Sequence, residues 1–315
     1  MKRYVSIAVK ILAGIAIPAS LAITFGGQLF DVPSAILVFI PAIVAAICLR
    51  LGTGQHWART FLVLGVPLGL VSTSIGLVQI LLQTSSITDV SAAGPAMAVC
   101  LITLLYGGLV SAIGFAALEK DDLPPRHTGS VLWWALPMAL TFALLVWAVS
   151  LGGTLQPFLH TDVLLVTLAS IVTFMSFRRS TPPFTRWAEA TLFSSMICVG
   201  AGVLKWFANS DYAAGNIDVD AIIFASVGVL YGCALYIGAY FYSFRNGQSK
   251  FNDGPRMNWH FLEVNAFLYF ITIAPTSLPE SLNKIETSKQ LATQQKELSE
   301  RITALEAEVK RLSRE

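Results

Sequence analysis

The chain has 315 residues, of which 55% are hydrophobic and only 13% charged, with a mean hydropathy of +0.66. A water-soluble fold of this length cannot hide so much apolar surface, so the composition excludes a soluble globular protein and makes lipid the main solvent. The net charge of +2 gives no reason to expect a nucleic-acid partner, and its meaning lies in how the charges are distributed.

A transmembrane helix needs about 20 apolar residues. Windows of that kind recur at 5–25, 33–50, 61–82, 93–118, 131–150, 161–177, 190–208 and 220–243, predicting eight spans joined by short connectors rich in Gly, Pro, Asp and Arg. The first window follows Lys2 and Arg3 and is similar to a secretory signal, but its counterpart later in the chain argues for a retained span. Cys48, Cys100, Cys198 and Cys233 all fall inside predicted spans, as buried thiols rather than a disulfide or zinc framework.

Basic residues set the orientation, because Lys and Arg are retained on the cytoplasmic side. Lys2, Arg3, Lys10, Arg50, Arg59, Lys120, Arg126, Arg178, Arg179, Arg186, Arg245, Lys250 and Arg256 fall before or in the first turns of the first span, in or at the edge of alternate connectors, and after the eighth. The other connectors hold Asp31, Asp89, Asp162, Asp211, Asp218 and Asp220, with no Lys or Arg. Both ends of the eight-span body are therefore expected on the cytoplasmic side.

Three landmarks recur in order. Phe25-Gly26-Gly27-Gln28-Leu29 is echoed by Leu151-Gly152-Gly153-Thr154-Leu155, Trp57-Ala58 by Trp187-Ala188, and Leu105-Tyr106-Gly107 by Leu230-Tyr231-Gly232. They predict an all-α integral membrane protein built as two tandem four-helix repeats, 1–118 and 131–245. An even number of spans per copy gives both copies the same orientation. Gly76, Gly107, Gly108, Ser111 and Gly114 are candidate positions for close helix packing.

Within the first copy, Gly69-Leu70-Val71-Ser72-Thr73-Ser74-Ile75-Gly76-Leu77 precedes Gly94-Pro95-Ala96-Met97-Ala98-Val99 and Leu101-Ile102-Thr103-Leu104-Leu105-Tyr106-Gly107. This order resembles the paired-helix signature of the MotA/TolQ/ExbB proton-channel family, and Asp31-Val32-Pro33-Ser34 resembles the segment leading into span two of MotA-type members. The resemblance covers 1–118 and is most specific over 62–115. It implies a bacterial inner-membrane protein that oligomerises around a single-span MotB/TolR/ExbD-like partner and couples ion flow to work. By position, it assigns Thr73 and Thr103 to the ion path. An ion crossing hydrocarbon needs a carboxylate or a polar relay. No Asp or Glu lies in the middle of a predicted span, so the resemblance assigns the carboxylate to the partner.

The departures are specific. Ser72 replaces the family glycine and Leu104 a second threonine, while Val199 and Gly228 occupy the places of Thr73 and Thr103 in the second copy. The connector between spans two and three is about ten residues, without the cytoplasmic domain of MotA, which argues against a flagellar motor role. Lys205 is expected to snorkel to the outer surface, and Glu189 to pair with Arg186 near a helix end.

Residues 259–276 form an apolar stretch carrying His260, Glu263 and Asn265, read as an interfacial helix or a ninth span. Over 280–315 a heptad repeat places Leu291, Leu298, Leu305 and Leu312 at one seam position and Gln295, Ile302 and Val309 at the other. This predicts a short coiled coil and a homo-oligomer, or an amphipathic helix that docks on a partner. No cluster of nucleophile, base and metal ligands converges, so no enzymatic activity, metal or cofactor is expected. Two functions follow: an ion-conducting or energy-coupling subunit, or a non-conducting scaffold or sensor that recruits partners through its tail.

Overall fold

A computed structural model describes residues 31–84, 93–118, 130–152, 155–177, 183–209 and 218–245, together with Gln294, Lys296 and Arg301. Its described elements are all helical: α1 (Val32–Thr53), α2 (Trp57–Thr84), α3 (Ala93–Ala117), α4 (Leu132–Leu151), a 3-10 turn at Gln156–Phe158, α5 (Thr161–Phe177), α6 (Pro183–Asn209) and α7 (Val219–Ser243). The window 5–25, the stretch 259–276 and every seam residue of the heptad lie outside the described residues.

Helices α1, α2 and α4–α7 are each long and apolar enough to cross a membrane, and α3 contributes a shorter apolar stretch at Ile102–Ala117. The outer wall of the bundle is apolar: Leu136, Val146, Leu165, Leu168 and Val172 are all exposed on α4 and α5. Water would be a poor solvent for that wall, whereas lipid tails cover it without penalty. The chain is a multi-pass membrane protein.

Local signals start and stop the helices. Asp31 caps α1 by accepting from the Ser34 N–H at 2.8 Å, with a proline in the first turn. Gly54 ends the helix in the left-handed region at φ 74°, where a side chain would be strained. Asp218 caps α7 in the same way as Asp31 caps α1, through the Ala221 N–H at 3.1 Å. Helix α6 starts earlier than the hydropathy window at 190, and its first turns carry Arg186 and a buried Glu189.

Helix α2 is the axis of the bundle. Of its span window 89% is buried, against 28% for α4 and α5, which places α2 inside and those two at the lipid-facing edge. It packs most extensively on α3 and also meets α1 and α7, while α6 makes its largest contact with α7. The α2–α3 and α6–α7 pairs share a contact register. A Cβ on Gly107 would lie 2.6 Å from the Gly65 carbonyl oxygen, and a Cβ on Gly232 would lie 2.6 Å from the Thr191 carbonyl oxygen. Gly76 meets Cys100 as Gly202 meets Ala225.

The ends of the bundle differ in charge. Described arginines Arg50, Arg59, Arg186 and Arg245 lie at one end, with Asp31, Asp162, Asp218 and Asp220 at the other. Lys205 is exposed near the aspartate end of α6, in keeping with a snorkelling side chain.

Candidate functional site

Thr73 and Thr103 meet inside the α2–α3 seam. Their positions follow from small residues: Gly65, Gly69 and Gly76 mark one stripe of α2, and Cys100, Gly107, Ser111 and Gly114 mark the facing stripe of α3. With no Cβ between them the two backbones approach closely. A Cβ on Gly69 would come within 3.1 Å of the Gly107 Cα, and one on Gly114 within 2.5 Å of the Ala58 carbonyl oxygen. Gly108 differs from its neighbour. It points away from the α2–α3 seam, and among the described residues a Cβ there would meet nothing within 4 Å.

Ser111 joins the seam by hydrogen bonding. It accepts from the Val66 N–H at 3.0 Å and approaches the Leu62 carbonyl at 3.2 Å. The insertion falls beside Pro67, whose ring interrupts the regular backbone ladder of α2.

At the centre of the seam the Thr73 and Thr103 hydroxyl oxygens are 2.7 Å apart. Thr73 Oγ1 is 2.9 Å from the Cys100 carbonyl oxygen across the interface, and Thr103 Oγ1 is 2.6 Å from the same carbonyl in its own helix. Both side chains are buried. The three oxygens form a triangle with two hydroxyl protons to distribute. Each hydroxyl is satisfied within it, and the carbonyl can only accept. A proton relay through the pair would therefore have to open one edge, because a carbonyl ends a donor chain.

In the second half the same register gives no such triangle. The Gly228 face meets Cys198, whose sulfur is 3.6 Å from Thr167 Oγ1 of α5. Charged residues of the described helices lie within about two turns of a helix end, leaving the mid-membrane zone to hydroxyls, thiols and backbone.

One further contact was not singled out by sequence reasoning. Gln79, near the end of α2, donates from Nε2 to the Ala148 carbonyl of α4 at 2.9 Å. A Cβ on Gly152 would fall 2.7 Å from that Nε2, so the glycine opens the space for the amide. Gln79 thus satisfies a carbonyl left open at the end of α4 and ties the first half to the second. A lone amide in an apolar run was the available signal.

The recurring Tyr-Gly landmark also has a physical role. The Tyr106 hydroxyl accepts from the Asp31 N–H at 3.3 Å, while the Tyr231 hydroxyl donates to the Phe158 carbonyl. Each tyrosine reaches the backbone just ahead of a described helix, α1 for Tyr106 and α5 for Tyr231. Comparison with known proteins returns no matching family model, no similar curated protein and no similar solved structure.

Proposed function

We propose that this chain is an ion-conducting or energy-coupling subunit of the MotA/TolQ/ExbB proton-channel type, acting with a single-span partner that supplies the carboxylate. The observation that carries this reading is the Thr73–Thr103 pair: two hydroxyls 2.7 Å apart, buried in a glycine-lined seam at the position the family resemblance assigns to the ion path. In the isolated chain the pair is closed on the Cys100 carbonyl. A partner helix bearing a carboxylate would offer a competing acceptor and free a hydroxyl for relay.

The tandem architecture belongs to the same proposal. One displacement carries Gly65, Gly69 and Gly76 onto Thr191, Ser195 and Gly202, and a displacement one residue shorter carries Cys100 and Gly107 onto Ala225 and Gly232. Both sets make matching contacts, and the two tyrosine tethers match as well, which supports two copies of one four-helix unit. Trp57 and Trp187 lie one helical turn out of this register. With the arginine end cytoplasmic, the eight-span arrangement gives cytoplasmic termini in a bacterial inner membrane, and the heptad at 280–315 serves oligomer formation.

Copurification from native membranes tests the partner requirement. The expected companion is a short protein with one span and an Asp near its start. A second reading, a non-conducting scaffold or sensor, is favoured by the self-satisfied hydroxyl triangle and by Val199 and Gly228 in the second half. Recovery of soluble or peripheral proteins alone would support that scaffold.

A further inference from the structure

We propose that the arginine-bearing end of the α1–α4–α7 junction binds the headgroup of an anionic phospholipid. The inference rests on the chain lying in a membrane and is independent of ion conduction.

Five side chains build the site. On α1, Gly52 seats Trp133 of α4 so closely that a Cβ on the glycine would lie 2.1 Å from the indole Cγ. The adjacent Trp134 meets Tyr242 of α7 edge-on, with ring centroids 5.9 Å apart and planes at 89°. Tyr242 in turn fixes Arg245: the guanidinium carbon sits 5.3 Å from the ring centroid, and Nη1 donates to the tyrosine hydroxyl. Arg50 stands exposed in the last turn of α1, two residues before Gly52.

The chemistry of this rim selects its occupant. Indole and phenol rings that are apolar in body and polar at the edge settle at the headgroup level of a bilayer. Among the described residues, neither Arg50 nor Arg245 forms an ion pair with a carboxylate. Arg245 uses one donor on Tyr242 and keeps the rest of its fork for a phosphate. Arg59 and Arg186, at the same end, are partly covered and engaged in other interactions. Below the rim, exposed Leu136 begins the apolar wall of α4 against which acyl chains would lie. Two guanidiniums at headgroup depth above a lipid-facing wall match a ligand with a negative head and two hydrocarbon tails.

Native mass spectrometry of the purified full chain tests this, with phosphatidylglycerol and phosphatidylcholine of matched acyl chains as probes. Wild type should retain phosphatidylglycerol roughly tenfold better. Arg50→Gln with Arg245→Gln should bring retention down to the phosphatidylcholine level, while Arg50→Lys with Arg245→Lys keeps a preference for the anionic lipid. Thermal unfolding in neutral detergent checks that both variants are folded, and if the glutamine pair is not, loss of preference in Tyr242→Phe serves instead. Equal retention of the two lipids by wild type would overturn the proposal. So would a glutamine pair that behaves as wild type, or complete displacement of the lipid by millimolar inorganic phosphate or by an acidic peptide.

Discussion

Thr73 Oγ1 and Thr103 Oγ1 lie 2.7 Å apart on two helices whose backbones are brought together by glycine, and both hydroxyls turn toward one carbonyl, that of Cys100. Valine has nearly the shape of threonine, so Thr73→Val removes the bond across the seam while leaving Thr103 on its own helix. Hydrogen bonds between membrane helices contribute about 0.6 kcal/mol on average and up to roughly 2 kcal/mol. Thr73→Val is therefore expected to destabilise the bundle by about 1 kcal/mol. Thr73→Val with Thr103→Val should cost less than the sum of the singles, because each removes the same hydroxyl contact. Reversible unfolding in mixed micelles measures both quantities.

Gly107 and Gly108 are adjacent and opposite in role. A methyl at Gly107 would press on the Gly65 carbonyl and the Gly69 Cα, both backbone atoms that cannot rotate away. Gly107→Ala is expected to lower the thermal midpoint by several degrees through overpacking of about 1–3 kcal/mol. Gly108→Ala should leave it unchanged or raise it slightly, since alanine is the better helix former and the space is open. Gly232→Ala, facing the Thr191 carbonyl and the Ser195 side chain, should behave like Gly107→Ala if the two halves share one design.

The tie between the halves is also separable by mutation. Gln79→Leu keeps the bulk but leaves the Ala148 carbonyl without its side-chain donor, at a cost of about 1 kcal/mol. Gln79→Glu should be worse at neutral pH, because a carboxylate would face the carbonyl end of α4, where negative charge is disfavoured. Thermal unfolding of the two variants against wild type gives the order. An unchanged midpoint in both would show that the amide is not a tie.

Hydropathy located most helices because a lipid-embedded helix is marked by composition along its length. It missed the early start of α6, where Arg186 and Glu189 interrupt the apolar run although the backbone stays helical and Glu189 is enclosed by the bundle. The glycine-rich stripe between α2 and α3 was legible as a set, but the direction in which each glycine points was not. Gly107 and Gly108 are chemically identical, and only the phase of the helix sends one inward. Thr73 and Thr103 were found through the resemblance and do come together, yet their closure on the Cys100 carbonyl depends on a backbone atom that no motif marks. Gln79 escaped notice for a related reason: its partner is a helix end about 70 residues away in sequence.

The most direct test of the account is proton flux into liposomes carrying the purified protein, alone and with a copurified single-span partner, for wild type and for Thr73→Val with Thr103→Val. The account predicts flux only when the partner is present, falling at least about tenfold in the double variant, as expected when a positioned relay group is removed. Absence of flux with the partner bound, or equal flux in wild type and the double variant, would contradict it.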